Sequence, residues 1–165
     1  MDYFRIIVQD YNSNPFLKGK FIVVFFRLAN LTVILRKPYA YFFYPIAVVY
    51  IFIVEWIMGV EIHPKTRIGR GLVIYHGVGL VVNGYTIIGD DCILRQGVCI
   101  GNVIDRNGHH GGCPVIGNAV EVGAGAMILG EIRVGDNVRI GASSVVTKDV
   151  PDGATVIGVN QVLTK

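Results

Sequence analysis

Aliphatic residues recur at every sixth position through the second part of the chain, and this period restricts the fold more than any other feature. An α-helix repeats about every 3.6 residues and a strand every two, so neither produces a period of six. A β-solenoid does, because six residues form one short face, three faces close a triangular coil of about 18 residues, and inward side chains stack into a core. The positions are Ile62, Ile68, Ile74, Leu80, Ile88, Leu94, Ile100, Ile116, Val122, Ile128, Val134, Ile140 and Val146.

The period slips at two places. A short slip lies near residues 83–85, and a larger one separates Ile100 from Ile116 by sixteen residues instead of six. Insertions in a solenoid leave the coil as surface loops. We therefore expect residues 101–114 to form a projecting loop, and long loops on rigid scaffolds commonly bind ligands.

The first 60 residues have a different composition. Apolar runs over residues 20–35 and 39–58 are separated by Arg36-Lys37-Pro38, a break that predicts two helices in a hairpin. We accordingly divide the chain into a helical region, 1–60, and a β-helix, 61–165. Residues 38–54 carry no charge and approach the length of a spanning segment, although Pro45 interrupts them. Two interpretations stay open: helices packed on the β-helix and on a neighbouring subunit, or peripheral contact with a membrane.

Composition excludes several classes of protein. Hydrophobic residues make up 52% of the chain and charged residues 16%, which excludes intrinsic disorder. A net charge of +3 without a basic cluster argues against nucleic-acid binding. The three cysteines are an odd number and the first residues do not resemble a signal peptide, so we expect a cytoplasmic protein.

Three segments carry a family resemblance: EIHPKTRIGRGLVIYHG over 61–77, GNVIDRNGHHGGCPVIGN over 101–118, and VGAGAMILGEIRVGDNVRIGASSVV over 122–146. They resemble the hexapeptide-repeat acyltransferases, most closely the serine acetyltransferase branch. The short chain is more similar to the acetyltransferases of exopolysaccharide and capsule gene clusters, such as the colanic acid type. The resemblance implies a left-handed parallel β-helix, a homotrimer, acetyl-CoA bound between neighbouring coils of adjacent subunits, and acetyl transfer to a hydroxyl. We expect no metal.

The resemblance also implies two catalytic residues. His76 occupies the position of the family's general base, and a neutral imidazole with a pKa of about 6.5 can accept a hydroxyl proton and later return it. Glu61 stands where serine acetyltransferases carry an Asp that orients this histidine. Gly101 and Asn102 open the loop, and we expect their backbone N–H groups to stabilise the tetrahedral oxyanion.

The acceptor side departs from serine acetyltransferases. Where they carry an Asp before the histidine, an Arg-His pair before the loop proline and an Asp in the helical part, this chain has Tyr75, Gly112-Cys113 and Asn14. A buried amino acid needs charged partners, and these are missing. We therefore expect a sugar hydroxyl of a cell-surface polysaccharide, contacted by Tyr75, Asn14, Cys113 and His110. A lipid-linked acceptor would agree with the apolar helices.

The family's coenzyme segments match small residues near the end of the chain. We expect acetyl-CoA to contact the backbone there, with a lysine near a phosphate. The residues are Gly123, Ala124, Gly125, Ala126, Ala142, Ser144 and Lys148.

Three other functions compete with a sugar acetyltransferase. Serine O-acetyltransferase is the nearest, and Tyr75 and Cys113 disfavour it. A zinc hydratase on the same solenoid would need a pair of histidines five residues apart, which the sequence lacks. A trimeric scaffold without catalysis would not need both Glu61 and His76.

Overall fold

The computed structural model describes residues 3–159 and 161–163 of the chain. Three helices come first: α1 (Tyr3–Ser13), α2 (Leu17–Ile34) and α3 (Tyr39–Tyr50), which continues into a π-helical turn over Ile51–Ile57. The break between α2 and α3 lies at the Pro38 segment, as the sequence predicts. The first helix, α1, was not expected. Its buried side carries the polar Asp10, whose backbone partners Gly71 and Leu72 lie far along the chain.

The described residues after the helices form fifteen short strands. Those of sheet A are β1 (Val60–Ile62), β4 (Leu80–Val82), β7 (Cys99–Gly101), β10 (Met127–Leu129) and β13 (Val145–Val146). Those of sheet B are β2 (Arg67–Ile68), β5 (Ile87–Ile88), β8 (Val115–Ile116) and β11 (Arg133–Val134). Those of sheet C are β3 (Val73–Tyr75), β6 (Ile93–Arg95), β9 (Glu121–Val122), β12 (Arg139–Ile140), β14 (Thr155–Ile157) and β15 (Gln161–Leu163).

From β1 to β14 consecutive strands lie in different sheets. Three strands make one coil, and the chain forms a parallel β-solenoid of about five coils. Register keeps the repeat in step: Ile74 pairs with Leu94, and Leu94 pairs with Val122. All the aliphatic repeat positions are buried except Ile68, which is partly buried against the core. The predicted fold class, a parallel β-helix behind a small helical region, is confirmed. Only β15 runs antiparallel, against β14.

The helices close the open end of the first coil. A first coil has no preceding coil to pair with its backbone, and unpaired buried backbone groups are costly. Helix side chains supply the missing partners. On α1 and the turn after it, Asp10 accepts from the N–H groups of Gly71 and Leu72, and Asn14 bonds the Leu72 carbonyl and the Ile74 N–H. On α2 and α3, Arg27 donates to the carbonyls of Ile68 and Gly69, Asn30 to that of Pro64, and the Tyr50 hydroxyl to that of Ile62.

One buried ion pair anchors this cap. The Nε of Arg27 donates to Asp10 Oδ2 over 2.7 Å, and both side chains are almost fully buried. The pair joins α1 to α2 while each partner also bonds the backbone of the first coil. The helical region is therefore fixed to the solenoid by directed polar contacts.

The loop expected over residues 101–114 leaves the solenoid between β7 and β8. It folds back on itself through an antiparallel bridge between Ile104 and His110. The Asp105 carboxylate caps the tip, accepting from the backbone N–H groups of Asn107 and His109.

Candidate functional site

His76 lies in the corner that joins β3 to β4. Its φ of 66° places it in the left-handed region, which a residue other than glycine seldom adopts. Asp91, Ala119, Asn137 and Ser143 have similar φ values at other turns of the solenoid, so this backbone conformation belongs to the corner. The imidazole is exposed and lies at the edge where sheet C meets sheet A.

Two aromatic rings surround His76, and with it they form what we term the aromatic frame: Phe16, Tyr75 and His76. The Phe16 ring stacks on the imidazole, with centroids 5.7 Å apart and planes at 27°. The same Phe16 ring meets Tyr75 edge-on at 5.9 Å. The Arg95 guanidinium lies over the Tyr75 ring, 4.8 Å from the ring centroid. The frame leaves a half-exposed aromatic surface beside the imidazole.

The sequence did not single out Phe16, although its neighbour Asn14 was a candidate. Asn14 is buried, and its Nδ2 donates to the carbonyls of Asp10 and Leu72 over 2.7 and 2.8 Å. Its Oδ1 accepts from Ile74 N–H over 2.8 Å. The amide thus bonds the backbone in this structure, and the expected contact of Asn14 with the acceptor stays a prediction. Its role is to hold the turn that carries Phe16.

Glu61 lies on the outer side of β1, in the middle of its strand. In the part of the chain that the structure describes, it forms neither a hydrogen bond nor an ion pair with His76, whose ring is turned towards Phe16. The negative charge of Glu61 instead acts to raise the pKa of Glu55 and of His63. Burial, and then the charge of Glu61, raises the pKa of Glu55 to about 7. Burial, and then the charge of Lys65, lowers the pKa of His63.

The base of the loop forms a cavity of about 310 Å³. A chain of side-chain contacts crosses it: Cys113 Sγ to Asn83 Oδ1 at 3.3 Å, Asn83 Nδ2 to Asn102 Oδ1 at 3.0 Å, and Asn102 Nδ2 to His110 Nδ1 at 3.1 Å. Burial raises the pKa of the Cys113 thiol. The cavity brings together three residues that the sequence singled out, Asn102, His110 and Cys113, and adds Asn83. Asn83 lies beside the short slip of the period, which is the signal that marked it.

Gly101, the first residue of the expected oxyanion pair, is buried at the end of β7. Its carbonyl accepts from the Gly130 N–H at 2.9 Å.

The aromatic frame lies at the N-terminal end of the sheet A strands, and the loop cavity lies at their C-terminal end. His76 precedes β4, whereas the loop follows β7, and these two strands run parallel and side by side. One chain therefore does not bring His76 together with Asn102, His110 and Cys113.

A second cavity, of about 450 Å³, lies on the outer face of sheet C. We term it the sheet C groove; it is lined by Arg95, Glu121, Gly123, Ala124, Arg139, Ile140, Gly141, Ala142 and Thr155. A Cβ at Gly123 would lie 2.5 Å from the Ala142 nitrogen, so the next coil requires glycine there. Arg95 pairs with Glu121 at 3.0 Å.

Three of the expected coenzyme residues line the groove: Gly123, Ala124 and Ala142. Ala126 and Ser144 are completely buried in the solenoid core. Their expected contact with the coenzyme stays a prediction. Gly125 occupies a corner with a φ of 69°, and Lys148 is exposed beyond β13. Sequence reasoning missed Arg95 and Arg139, because outward arginines on a solenoid face carry no motif.

Among the described residues, no three His, Cys, Asp or Glu side chains are placed to hold a metal ion together.

Comparison with known proteins places this geometry in a family. The model "Bacterial transferase hexapeptide (six repeats)" matches residues 113–148. The "Putative colanic acid biosynthesis acetyltransferase WcaB" of Escherichia coli K12 is 39% identical over 156 residues, which cover 92% of this chain and 94% of that protein. The chain belongs to the hexapeptide-repeat acetyltransferases.

Serine acetyltransferases are similar over a shorter stretch. That of Synechococcus elongatus is 50% identical over 101 residues, covering 61% of this chain and 41% of that protein. That of Helicobacter pylori J99 is 50% identical over 104 residues, which cover 60% of that protein. The chain thus spans less than two thirds of either relative. In structure, soybean serine acetyltransferase superimposes with a TM-score of 0.76 at 30% identity, covering 98% of this chain and 69% of the soybean chain.

Proposed function

We propose that this acetyltransferase transfers the acetyl group of acetyl-CoA to a hydroxyl of a sugar destined for a cell-surface polysaccharide, with His76 as general base. The aromatic frame carries this proposal. A sugar ring presents C–H faces that pack on aromatic side chains and hydroxyls that reach a base. Phe16 and Tyr75 offer such a surface directly beside the imidazole. The similarity to the colanic acid relative, which extends over nearly the whole of both chains, supports the same acceptor class.

In the proposed reaction, the neutral His76 imidazole accepts the proton of the sugar hydroxyl as its oxygen attacks the thioester carbonyl. The carbonyl oxygen becomes an oxyanion in a tetrahedral intermediate, which backbone N–H donors at Asn102 stabilise. Collapse re-forms the carbonyl and breaks the carbon–sulfur bond. The imidazolium returns its proton to the departing thiolate. Glu61 keeps its expected orienting role in this proposal, because catalytic hydrogen bonds that are open without substrate commonly close when it binds.

The proposed site is shared between copies of the chain in a homotrimer. The outer face of sheet A carries an uncharged column, Val81, Cys99, Met127 and Val145, in register across four strands, and Glu61 extends it on β1. Val81 and Met127 are exposed on it, so the face suits contact with a second copy. Because His76 and the loop flank this face, such packing is the arrangement that would bring the loop of one copy to the His76 of the next.

Acetyl-CoA would lie in the sheet C groove. The small residues Gly123 and Ala142 let the pantetheine arm lie against the coil, and Arg95 and Arg139 offer positive charge for the phosphates. We also propose a cytoplasmic location. All three cysteines are free thiols, a state that suits a reducing compartment.

Serine is the second candidate acceptor. The 50% identity to serine acetyltransferases supports it, as does the match to the Neisseria gonorrhoeae serine acetyltransferase in complex with serine, with a TM-score of 0.75 at 30% identity. The residues at Tyr75 and Cys113 weigh against it, because neither carries the charge that a zwitterion needs.

The test is release of free thiol from acetyl-CoA by the purified chain, with L-serine, nucleotide sugars, lipid-linked sugars and oligosaccharides as separate acceptors. We expect release with a sugar and no increase with serine over the rate without acceptor. Release with serine alone would replace the sugar proposal by the serine one. Tyr75→Phe supplies a matched probe, since it removes the hydroxyl but keeps the aromatic face.

The shared site has its own test, which uses two inactive variants. His76→Asn removes the base, and Asn102→Ala with His110→Ala disrupts the loop. Mixed under conditions that exchange subunits, the two should regain activity, because some interfaces then pair an intact His76 with an intact loop. Failure of subunit-exchanged mixtures to regain activity would show that each chain holds a whole site.

A further inference from the structure

The outer face of α3 and its π-helical continuation is apolar and uncovered. Its exposed residues follow one side of the helix: Phe42, Pro45, Val48, Val49, Phe52 and Trp56. The opposite side, with Ala40, Ala47, Tyr50 and Val54, is buried against the rest of the protein. A helix that is apolar on every side is normally buried in a core or in lipid. We term the exposed side the outer α3 face.

The position of this face within the fold leaves it free. The α2 helix covers the first coil, and α3 packs on α2, so the outer α3 face forms the far end of the molecule. In the homotrimer proposed above, the copies pack through the sides of the solenoid. That packing would leave this end uncovered. Among the helices that the structure describes, Tyr39–Ile57 is the one long and apolar enough to cross a membrane, and only 22% of its most apolar window is buried.

The helix nevertheless lies flat across the end of the solenoid. The Tyr50 hydroxyl donates to the Ile62 carbonyl at 2.7 Å, and the π-helical turn leads directly into β1. To stand across a bilayer the helix would have to break this bond and leave α2. A flat helix with one apolar side suits the boundary between lipid headgroups and acyl chains.

Charge and aromatic content select lipid over a second protein surface. Arg36 and Lys37 are exposed just before α3, and residues 38–54 contain no acidic side chain. The tyrosines Tyr39, Tyr41 and Tyr44 lie next to these cations. Tyr and Trp are enriched at membrane interfaces, and Lys and Arg are attracted by anionic headgroups.

We propose that the outer α3 face docks on a bilayer containing anionic phospholipid, with α3 parallel to the membrane plane and Arg36 and Lys37 at the headgroups. This inference does not depend on the acceptor. It would place the site where a lipid-linked acceptor could be reached.

The single tryptophan of the chain makes the test direct. Trp56 is 78% exposed, so its emission reports on this face alone. On addition of phosphatidylcholine vesicles containing phosphatidylglycerol, we expect a blue shift, and quenching by lipids brominated near the headgroup end of the acyl chain. Pure phosphatidylcholine vesicles should give a weaker response, as should Arg36→Gln with Lys37→Gln.

A matched pair of substitutions locates the contact. Phe52→Glu on the outer α3 face should reduce vesicle binding, measured by flotation, by at least about tenfold. Ile104→Glu on the loop alters a residue of nearly equal exposure, 56% against 57%, and should leave binding within about twofold. The proposal is overturned if the emission of Trp56 does not change when the vesicles are added. It is also overturned if emission shifts with protein concentration alone, in step with a larger sedimenting species, since the face would then join copies end to end. None of these readouts involves acetyl transfer.

Discussion

The ring of Phe16 stacks on the imidazole of His76, with centroids 5.7 Å apart. Phe16 belongs to the turn between α1 and α2, whereas His76 ends the first coil of the solenoid. The helical region and the solenoid therefore meet at the proposed base. The turn is held by Asn14, whose amide bonds the Leu72 carbonyl and the Ile74 N–H on either side of Val73. The helices are thus part of the candidate site as well as a cap.

Phe16→Ala should lower kcat/KM for the acceptor by about tenfold, because it removes one wall of the aromatic frame. Phe16→Tyr keeps the ring and should stay within about threefold of the wild type. Steady-state kinetics at varied acceptor concentration measures both. The KM for acetyl-CoA should change less than the KM for the acceptor, since Phe16 does not line the sheet C groove. An equal fall for both variants would indicate that the ring face is not what matters.

Arg27→Leu should destabilise the fold by about 3–5 kcal/mol, because it removes the cation that pairs with the buried Asp10 carboxylate. Arg70→Leu is the matched control. Arg70 pairs with Asp90 over 3.0 Å on the surface, where an ion pair contributes about 0–1 kcal/mol. Urea unfolding measures the free energy of unfolding of each variant. Equal losses for the two would contradict the anchoring role of the buried pair.

Much of this fold is predictable from the sequence because its core depends on a local repeat. Ile74, Leu94 and Val122 are spaced so that each meets its counterpart in the next coil, and any chain with that spacing can form the same column. The site is less predictable. Its helix α1 is anchored by Asp10, a polar residue with partners 61 and 62 positions away, and hydrophobic periodicity cannot register such contacts.

The dependence on tertiary contacts also explains which features of the candidate site the sequence did not predict. His76 follows a matched motif, but Phe16 reaches it only through the tertiary packing of the turn. Glu61 follows a matched motif as well, yet its side chain lies on the outer face of β1. Sequence spacing places residues on neighbouring coils and does not fix the direction of their side chains. Ala126 and Ser144 show this too, since both point into the core.

Stability should depend on pH through Glu55. Its pKa is about 7 in the folded chain, above the value of about 4.5 in the unfolded chain, so the folded state binds the extra proton between these values. The stabilisation is full below about pH 4.5 and is lost as pH rises through about 7. Because Glu55 is partly exposed, solvent screening limits the effect to about 1 kcal/mol.

Glu55→Gln removes this titration. It should unfold with a flatter dependence on pH from about 5 to about 8 than the wild type, and be the more stable protein at the upper end. Glu61→Gln should flatten the dependence in part, because the charge of Glu61 raises the pKa of Glu55. Thermal unfolding across this range measures all three proteins. Parallel curves for the wild type and Glu55→Gln would contradict the assignment.

Arg139→Gln should weaken acetyl-CoA binding by about fivefold to tenfold through loss of a phosphate contact. The acetyl thioester of pantetheine, which lacks the nucleotide phosphates, should bind both proteins equally. Arg133→Gln is the control, since Arg133 is an exposed strand residue on sheet B rather than in the groove. Calorimetric titration gives the affinities. A loss with Arg133→Gln equal to that with Arg139→Gln would place the coenzyme elsewhere.

The general base is the central claim, and the rate of thiol release by His76→Asn tests it most directly. Asparagine tolerates the left-handed backbone at this position, so the variant should fold, yet its amide cannot accept a proton at neutral pH. His63→Ala serves as the control because His63 lies outside the aromatic frame and both cavities described. With an acceptor that the wild type uses, we predict a fall of at least about a hundredfold for His76→Asn and less than about twofold for His63→Ala. A His76→Asn rate within about threefold of the wild type would contradict the account.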